Sequence, residues 1–172
     1  MSVGEFVDFC RRQHDVECNQ KYNVELPYSF HLDRVIGEAV EFRSLIETKD
    51  FNTVVMSCAG HDLIEDARMT YNDIANIAGK EVVDIIYCCT EEKGRNRDER
   101  HSERYYTELA KNKLAVFVKL CDIIANVKFG ILTNSSMVDK YKREHSKTVE
   151  YLYFKEYRPM FDYLEKLFTL KT

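Results

Sequence analysis

The sequence predicts an all-α protein, folded as a single-domain helical bundle over residues 1–172, and three observations carry that expectation. Only two prolines and six glycines punctuate the 172 residues, too few for the many tight turns of a β-sandwich. Apolar residues recur at helical spacing through most of the chain, the pattern of helices with one buried face. The one strand-like run, Val82 to Cys89, is rich in β-branched residues. With no convincing second strand to pair with, it reads as a buried helix.

Taken in order, a first helix runs roughly from Gly4 to Cys18 with Phe6, Val7, Phe9 and Cys10 inward. Pro27 is expected in the first turn of a second helix, where its missing N–H costs nothing. The core face of that helix reads Val35, Ile36, Ala39, Phe42, Leu45 and Ile46. Glu47 to Asn52 makes a polar connection, and a third helix carries His61. Thr70 is an N-cap with Asp73 three residues on, in a capping-box-like place, and Gly79 ends that short helix. Residues 91–104 are densely charged, a loop at first and a helix at the end. Lys111 to Phe129 is a long helix displaying Leu114, Phe117, Val118, Cys121, Ile124 and Val127. Aromatic-rich helices fill 135–170 and either cover the core or form a contact between copies, which leaves a homo-oligomer open.

Composition narrows the function. A chain that is 45% hydrophobic and 31% charged folds rather than staying disordered. Its net charge of −4 argues against general nucleic-acid binding, which goes with a basic excess. No stretch approaches the roughly 18 apolar residues of a membrane span, and Met1 to Glu5 lack the basic start of a signal peptide. Six cysteines without a CxxC pair read as reduced thiols. A cytoplasmic protein is expected.

The fragment His61-Asp62-Leu63-Ile64-Glu65-Asp66 places four groups able to bind a cation or activate water within six residues. On a helix, His61 and Glu65 would share one face and Asp62 and Asp66 the neighbouring one. Elsewhere His31 and Asp122 break the apolar pattern on inward faces, with Lys119 three residues before Asp122. Taken singly, each has a bland explanation: a hydrogen-bonded core histidine, or an aspartate neutralised by Lys119. The run from Glu91 to Arg104 would then be a solvated face. Together, inward His31, His61, Asp62 and Asp122 on separate helices point to a divalent cation, whose usual ligands are imidazole and carboxylate.

The ordered set His31, His61-Asp62, Asp122 resembles the H…HD…D signature of the HD-domain metal-dependent phosphohydrolases. Pro27-Tyr28-Ser29-Phe30-His31 is similar to the PYxxH of the hydrolase domain in the RelA/SpoT homologues, the family of the small alarmone hydrolases. His61 to Asp66 is similar to their HDxxED, and Lys119-Leu120-Cys121-Asp122 with Asn126 to their KLAD…N. The resemblance covers most of residues 15–130, and the metal-site core would lie within roughly 20–130. It implies one Mn²⁺-like ion held by His31, His61, Asp62 and Asp122, which activates water and polarises phosphorus. Glu65 and Asp66 would orient and deprotonate the attacking water. The implied reaction removes pyrophosphate from the 3′ position of guanosine tetra- or pentaphosphate, with Asn126 at the ribose. Phosphate contacts would come from among Lys93, Arg95, Arg97, Arg100, Arg104 and Lys119.

The chain also departs from that pattern. Where the family packs an Arg-Lys pair on the guanine, this sequence has Gln20 and Lys21. Lys21 remains a base-side candidate, and Tyr22 is an aromatic that could stack in the arginine's place. The spacing from His31 to His61 is a few residues longer than in the family. No synthetase or regulatory domain follows, so hydrolysis alone is expected. Two rival readings remain: an HD phosphatase of 5′-nucleotides or other phosphomonoesters, for which the ED pair is dispensable, and a non-catalytic nucleotide-binding module, which would gain little from a metal site.

Overall fold

A computed structural model describes residues 1–170, so the last two residues of the expected domain lie outside the described residues. The described residues are all-α apart from one minimal hairpin. α1 (Val3–Arg12) is capped by a reciprocal Ser2–Glu5 box and continues through a π-helical turn, Gln13–Glu17. The hairpin pairs β1 (Lys21–Tyr22) with β2 (Leu26–Pro27). Then come α2 (Ser29–Glu41), α3 (Phe51–Gly60), α4 (Tyr71–Ala78), α5 (Lys80–Cys89), the short α6 (Arg97–Arg100) and α7 (Glu103–Ala110). α8 (Lys113–Leu132), α9 (Met137–Leu152) and α10 (Arg158–Leu170) complete the molecule.

α8 is the axis. Ala115 to Val118, Leu120 to Ala125 and Val127 are all buried, as expected of a helix that is apolar all round. One core forms where α7, α9 and α10 wrap it, around Phe117, Leu120, Ile124, Tyr157 and Leu164. A second core fills the space among α1, α3, α4 and α5, with Phe6, Leu32, Leu63, Ile74 and Ile86. α2 and α3 serve both: Val35 and Val54 enter the first core, Leu32 and Met56 the second.

The segment Val82 to Cys89 lies in α5, the Thr70–Asp73 capping box is present, and all six cysteines are free. No helix among the described residues is long and apolar enough to cross a membrane. Three local expectations need correction. Pro27 is not in a helix; it pairs with Lys21 in the hairpin, and α2 begins two residues later. A two-residue strand is too short to leave a periodic signal, and a ladder end tolerates proline. α2 stops at Glu41, so Phe42, Leu45 and Ile46 pack against the core from a 3₁₀ turn. α3 stops at Gly60, and His61 to Asp66 form a succession of turns rather than a helix.

Gly60 explains where that helix comes to rest. A Cβ there would lie 2.7 Å from Ile86 Cδ1 and 3.3 Å from both Leu63 Cδ1 and Phe6 Cε1. The glycine lets the end of α3 sit directly against α1 and α5. Gly37, inside α2, has open space where a Cβ would stand. Thermal or denaturant unfolding should therefore show opposite effects: Gly60→Ala destabilises by about 1–3 kcal/mol through overpacking, and Gly37→Ala stabilises by about 0.5–1 kcal/mol.

Candidate metal centre and active site

Four side chains from three parts of the fold converge. His31 comes from the first turn of α2, His61 and Asp62 from the residues just past α3, and Asp122 from the middle of α8. His31 Nε2 lies 3.3 Å from His61 Nε2, 3.3 Å from Asp122 Oδ1 and 3.8 Å from Asp62 Oδ2. His61 Nε2 lies 2.8 Å from Asp62 Oδ2 and 3.7 Å from Asp122 Oδ1.

Each carboxylate and His61 has a partner that aims it. His61 Nδ1–H donates to the Cys58 carbonyl at 2.9 Å, which leaves the Nε2 lone pair facing the centre. Tyr28 Oη donates to Asp62 Oδ2 at 2.5 Å. Asp122 Oδ1 accepts from Asn126 Nδ2 at 2.6 Å, and its Oδ2 from Lys119 Nζ at 3.1 Å. His31 is held by stacking: the Tyr22 ring lies 4.9 Å away at 15°. Outer partners of this kind characterise metal sites.

The donors fit a divalent cation. Two imidazole nitrogens 3.3 Å apart repel through their lone pairs unless a proton or cation lies between them. Ligands sharing an ion at about 2.0–2.2 Å are themselves roughly 3 Å apart, the spacing found here. Burial works against ionising Asp122, but Lys119 and the two histidines hold its carboxyl well below the usual carboxylate range. Burial likewise opposes a lowered Asp62, and His61 outweighs it. Two buried carboxylates with one ammonium leave a net negative pocket, which attracts a cation.

Glu65 and Asp66 follow on the next turn and are not donors in that cluster. The Glu65 carboxyl Oε1 accepts from the Glu91 N–H at 2.5 Å. Crowding by protein, then the Asp62 charge, pushes the Glu65 pKa up to about 7. Asp66 Oδ2 accepts from Gln20 Nε2 at 2.8 Å.

The residues expected to meet substrate are dispersed. Lys119 is buried against Asp122, and Asn126 is engaged by Asp122 and by Tyr22 Oη, which donates to it at 2.9 Å. Tyr22 therefore backs His31 and Asn126 rather than standing ready for a base. Arg97 makes a two-pronged pair with Glu144 at 2.6 and 3.1 Å and covers the Tyr141 ring. Arg100 pairs with Glu91 at 3.3 Å, Arg104 with Glu92 at 3.4 Å, and Arg95 with Glu99 at 2.9 Å. Lys93 is exposed, as is Lys21 in β1. The charged segment neutralises most of its own cations because it carries as many acids as bases.

Sequence reasoning missed several residues that shape the site. Tyr28 lies inside the Pro27–His31 motif, where nothing local signals that its hydroxyl reaches Asp62. His101 is buried, with Nε2 2.5 Å from Glu91 Oε1, in a segment that otherwise reads as solvated. A cavity of about 230 Å³ opens beside Tyr22 and Asn126, walled by Asn23, Phe129, Met137 and Tyr141. Its walls come from the hairpin, α8 and α9, which no local pattern brings together.

Fold and site together define an all-α helical domain built around a candidate metal centre. No family model matches the chain. Over 139 residues, 73% of its length, it is 28% identical to a probable guanosine-3′,5′-bis(diphosphate) 3′-pyrophosphohydrolase from Mycoplasma pneumoniae, and it spans 18% of that protein. Among solved structures it is similar to a metazoan orthologue of SpoT, described as hydrolysing ppGpp and acting in starvation responses. The TM-score is 0.75 at 22% identity, covering 97% of this chain and 93% of the other. The resemblance read from the motifs is borne out at the level of the fold, which this chain shares with the SpoT orthologue.

A cation that binds only the folded protein should raise the unfolding midpoint, by about 2.7 kcal/mol at a hundredfold excess over its dissociation constant. Differential scanning fluorimetry with Mn²⁺ should show that rise in the wild type and lose it in His61→Ala and Asp122→Asn.

Proposed function

We propose that the chain is a metal-dependent nucleotide pyrophosphohydrolase that removes pyrophosphate from the 3′ position of a guanosine tetra- or pentaphosphate-like alarmone, with Mn²⁺ as its ion. The observation that carries this reading is the convergence of His31, His61 and Asp122, with Asp62 Oδ2 2.8 Å from His61 Nε2 and a carboxyl of pKa about 7, Glu65, on the following turn. The curated relative's named activity and the fold of the SpoT orthologue support it.

His31, His61, Asp62 and Asp122 would hold the ion, which supplies Lewis-acid polarisation of phosphorus and a more acidic water. Glu65 takes the proton from the attacking water, and Asp66 orients that water. The new bond joins water oxygen to phosphorus, the bond from phosphorus to the ribose 3′ oxygen breaks, and the proton that Glu65 took from water is returned through solvent to the leaving 3′ oxygen. Lys119 keeps Asp122 ionised. Asn126 and Tyr141 border the cavity that receives the nucleoside, with Lys21 at its hairpin side. Lys93, Arg100 and Arg104 reach the phosphates: all three side chains are exposed, Arg100 beside the half-buried Glu91 and Arg104 beside Glu92. Arg97, clamped between Glu144 and Tyr141, braces α6 instead. Free cysteines throughout suit a cytoplasmic protein.

Purified protein with Mn²⁺ should release pyrophosphate from 3′-pyrophosphorylated guanosine nucleotides faster than it releases phosphate from 5′-nucleotides. The Glu65→Gln, Asp66→Asn double variant should lose about 10²–10⁴-fold in kcat. Release of phosphate from 5′-nucleotides alone would transfer the assignment to a nucleotidase.

A base must be ionised to work, so the rate should fall as pH drops through the Glu65 pKa. A bound cation pulls a neighbouring carboxyl downward, which places that acid limb at or below about pH 7. Glu65→Gln should flatten the limb in kcat–pH profiles at saturating Mn²⁺.

A further inference from the structure

Several buried polar residues lie outside the proposed chemistry, His14 among them. His14 sits fully buried in the π-helical turn that extends α1. Such turns are rare and recur at functional sites, where they shift one residue out of the helical register. The His14 ring stacks on Tyr28 at 4.7 Å and 23°, and its Nδ1 lies 2.6 Å from Gln20 Oε1. The Gln20 backbone N–H also donates to the His14 carbonyl at 2.8 Å, across a turn in which Asn19 adopts φ 46°. One residue thus grips Gln20 by both backbone and side chain.

That grip leaves the Gln20 amide a single orientation. Its Nε2 must donate to the Asp66 carboxylate at 2.8 Å, so its Oε1 accepts, and His14 supplies the proton from Nδ1. A neutral imidazole protonated on Nδ1 satisfies this arrangement. Burial lowers the proton affinity of His14, and its other nitrogen, Nε2, is buried without a partner. A bare lone pair there is cheaper than a stranded N–H.

We propose that His14 and Gln20 are positioning residues: His14 orients the Gln20 amide, and Gln20 holds the Asp66 carboxylate toward the reacting water. The role given to Asp66 rests on the pyrophosphohydrolase reading above. An amide suits the task because it aims a carboxylate without placing a charge beside it, whereas a lysine or arginine would weaken its basicity. The same imidazole backs Tyr28, whose hydroxyl donates to Asp62. His14 therefore stands behind both a candidate ligand and one of the two carboxyls that handle water.

Two readouts test the chain of bonds. Gln20→Glu is nearly isosteric; it keeps an acceptor for His14 and turns an acceptor toward Asp66. In the pyrophosphate-release assay it should lower kcat roughly ten- to a hundred-fold, the factor of a lost hydrogen bond to a charged group, with KM held within about threefold. On an Asp66→Asn background it should cost nothing further, because the two act as a unit. Wild-type kcat in Gln20→Glu, or full additivity with Asp66→Asn, overturns the proposal. The second readout needs no turnover: in ¹⁵N-labelled protein, His14 should show the neutral Nδ1–H tautomer, and the Gln20 side-chain amide resonances should move in Asp66→Asn. Unmoved resonances or an Nε2–H tautomer also overturn it. A wild type that turns over no 3′-pyrophosphorylated nucleotide refutes the assigned reaction, while the NMR result still decides the His14–Gln20–Asp66 linkage.

Discussion

The carboxylate of Asp122, buried halfway along α8, is the constraint around which this molecule is arranged. Removing a charge from water costs several kcal/mol unless partners surround it, and α8 is otherwise apolar on every side. Lys119 one turn before and Asn126 one turn after take one oxygen each. The remaining direction faces His31 and His61. A second buried pair, Glu38 with Lys128 at 2.7 Å, lies two turns along α2 from His31. These two polar contacts set the register of α2 on α8, which apolar packing alone leaves free to slide.

The end of α3 decides how the other two candidate ligands arrive. His61, just past the end of α3, keeps helical backbone angles (φ −57°, ψ −29°), and its Nε2 lies 2.8 Å from Asp62 Oδ2. Gly60 before it lets the end of α3 pack directly on Ile86 of α5. The succession of turns that follows separates Glu65 and Asp66 from the donors and hands them to other partners, the Glu91 backbone and Gln20.

Behind Glu65, the charged segment acts as a scaffold more than as a set of loose cations. Glu91 joins the Glu65 carboxyl through its backbone, and His101 and Arg100 through its side chain. Arg97 carries the linkage on to Glu144 of α9. Buried and half-buried pairs of this kind tie the wall of the site to the C-terminal helices.

The sequence by itself determined the all-α class, the approximate course of the helices and the identities of the four converging residues. Helical periodicity is local, and a charge such as Asp122 stands out on an apolar face wherever it lies. It did not contain the hairpin at Lys21–Pro27, whose strands are two residues long. Nor did it show the roles of Tyr22, Tyr28, His14 and Gln20. Tyr22 reaches Asn126 across 104 positions, Gln20 reaches Asp66 across 46, and Arg97 is claimed by Glu144 across 47. Which carboxylate answers a given cation, and which hydroxyl aims a given ligand, depends on distances that only the packing of α1, α2, α8 and α9 creates. The candidate ligands were legible as residue types, and tertiary structure alone decided what orients them.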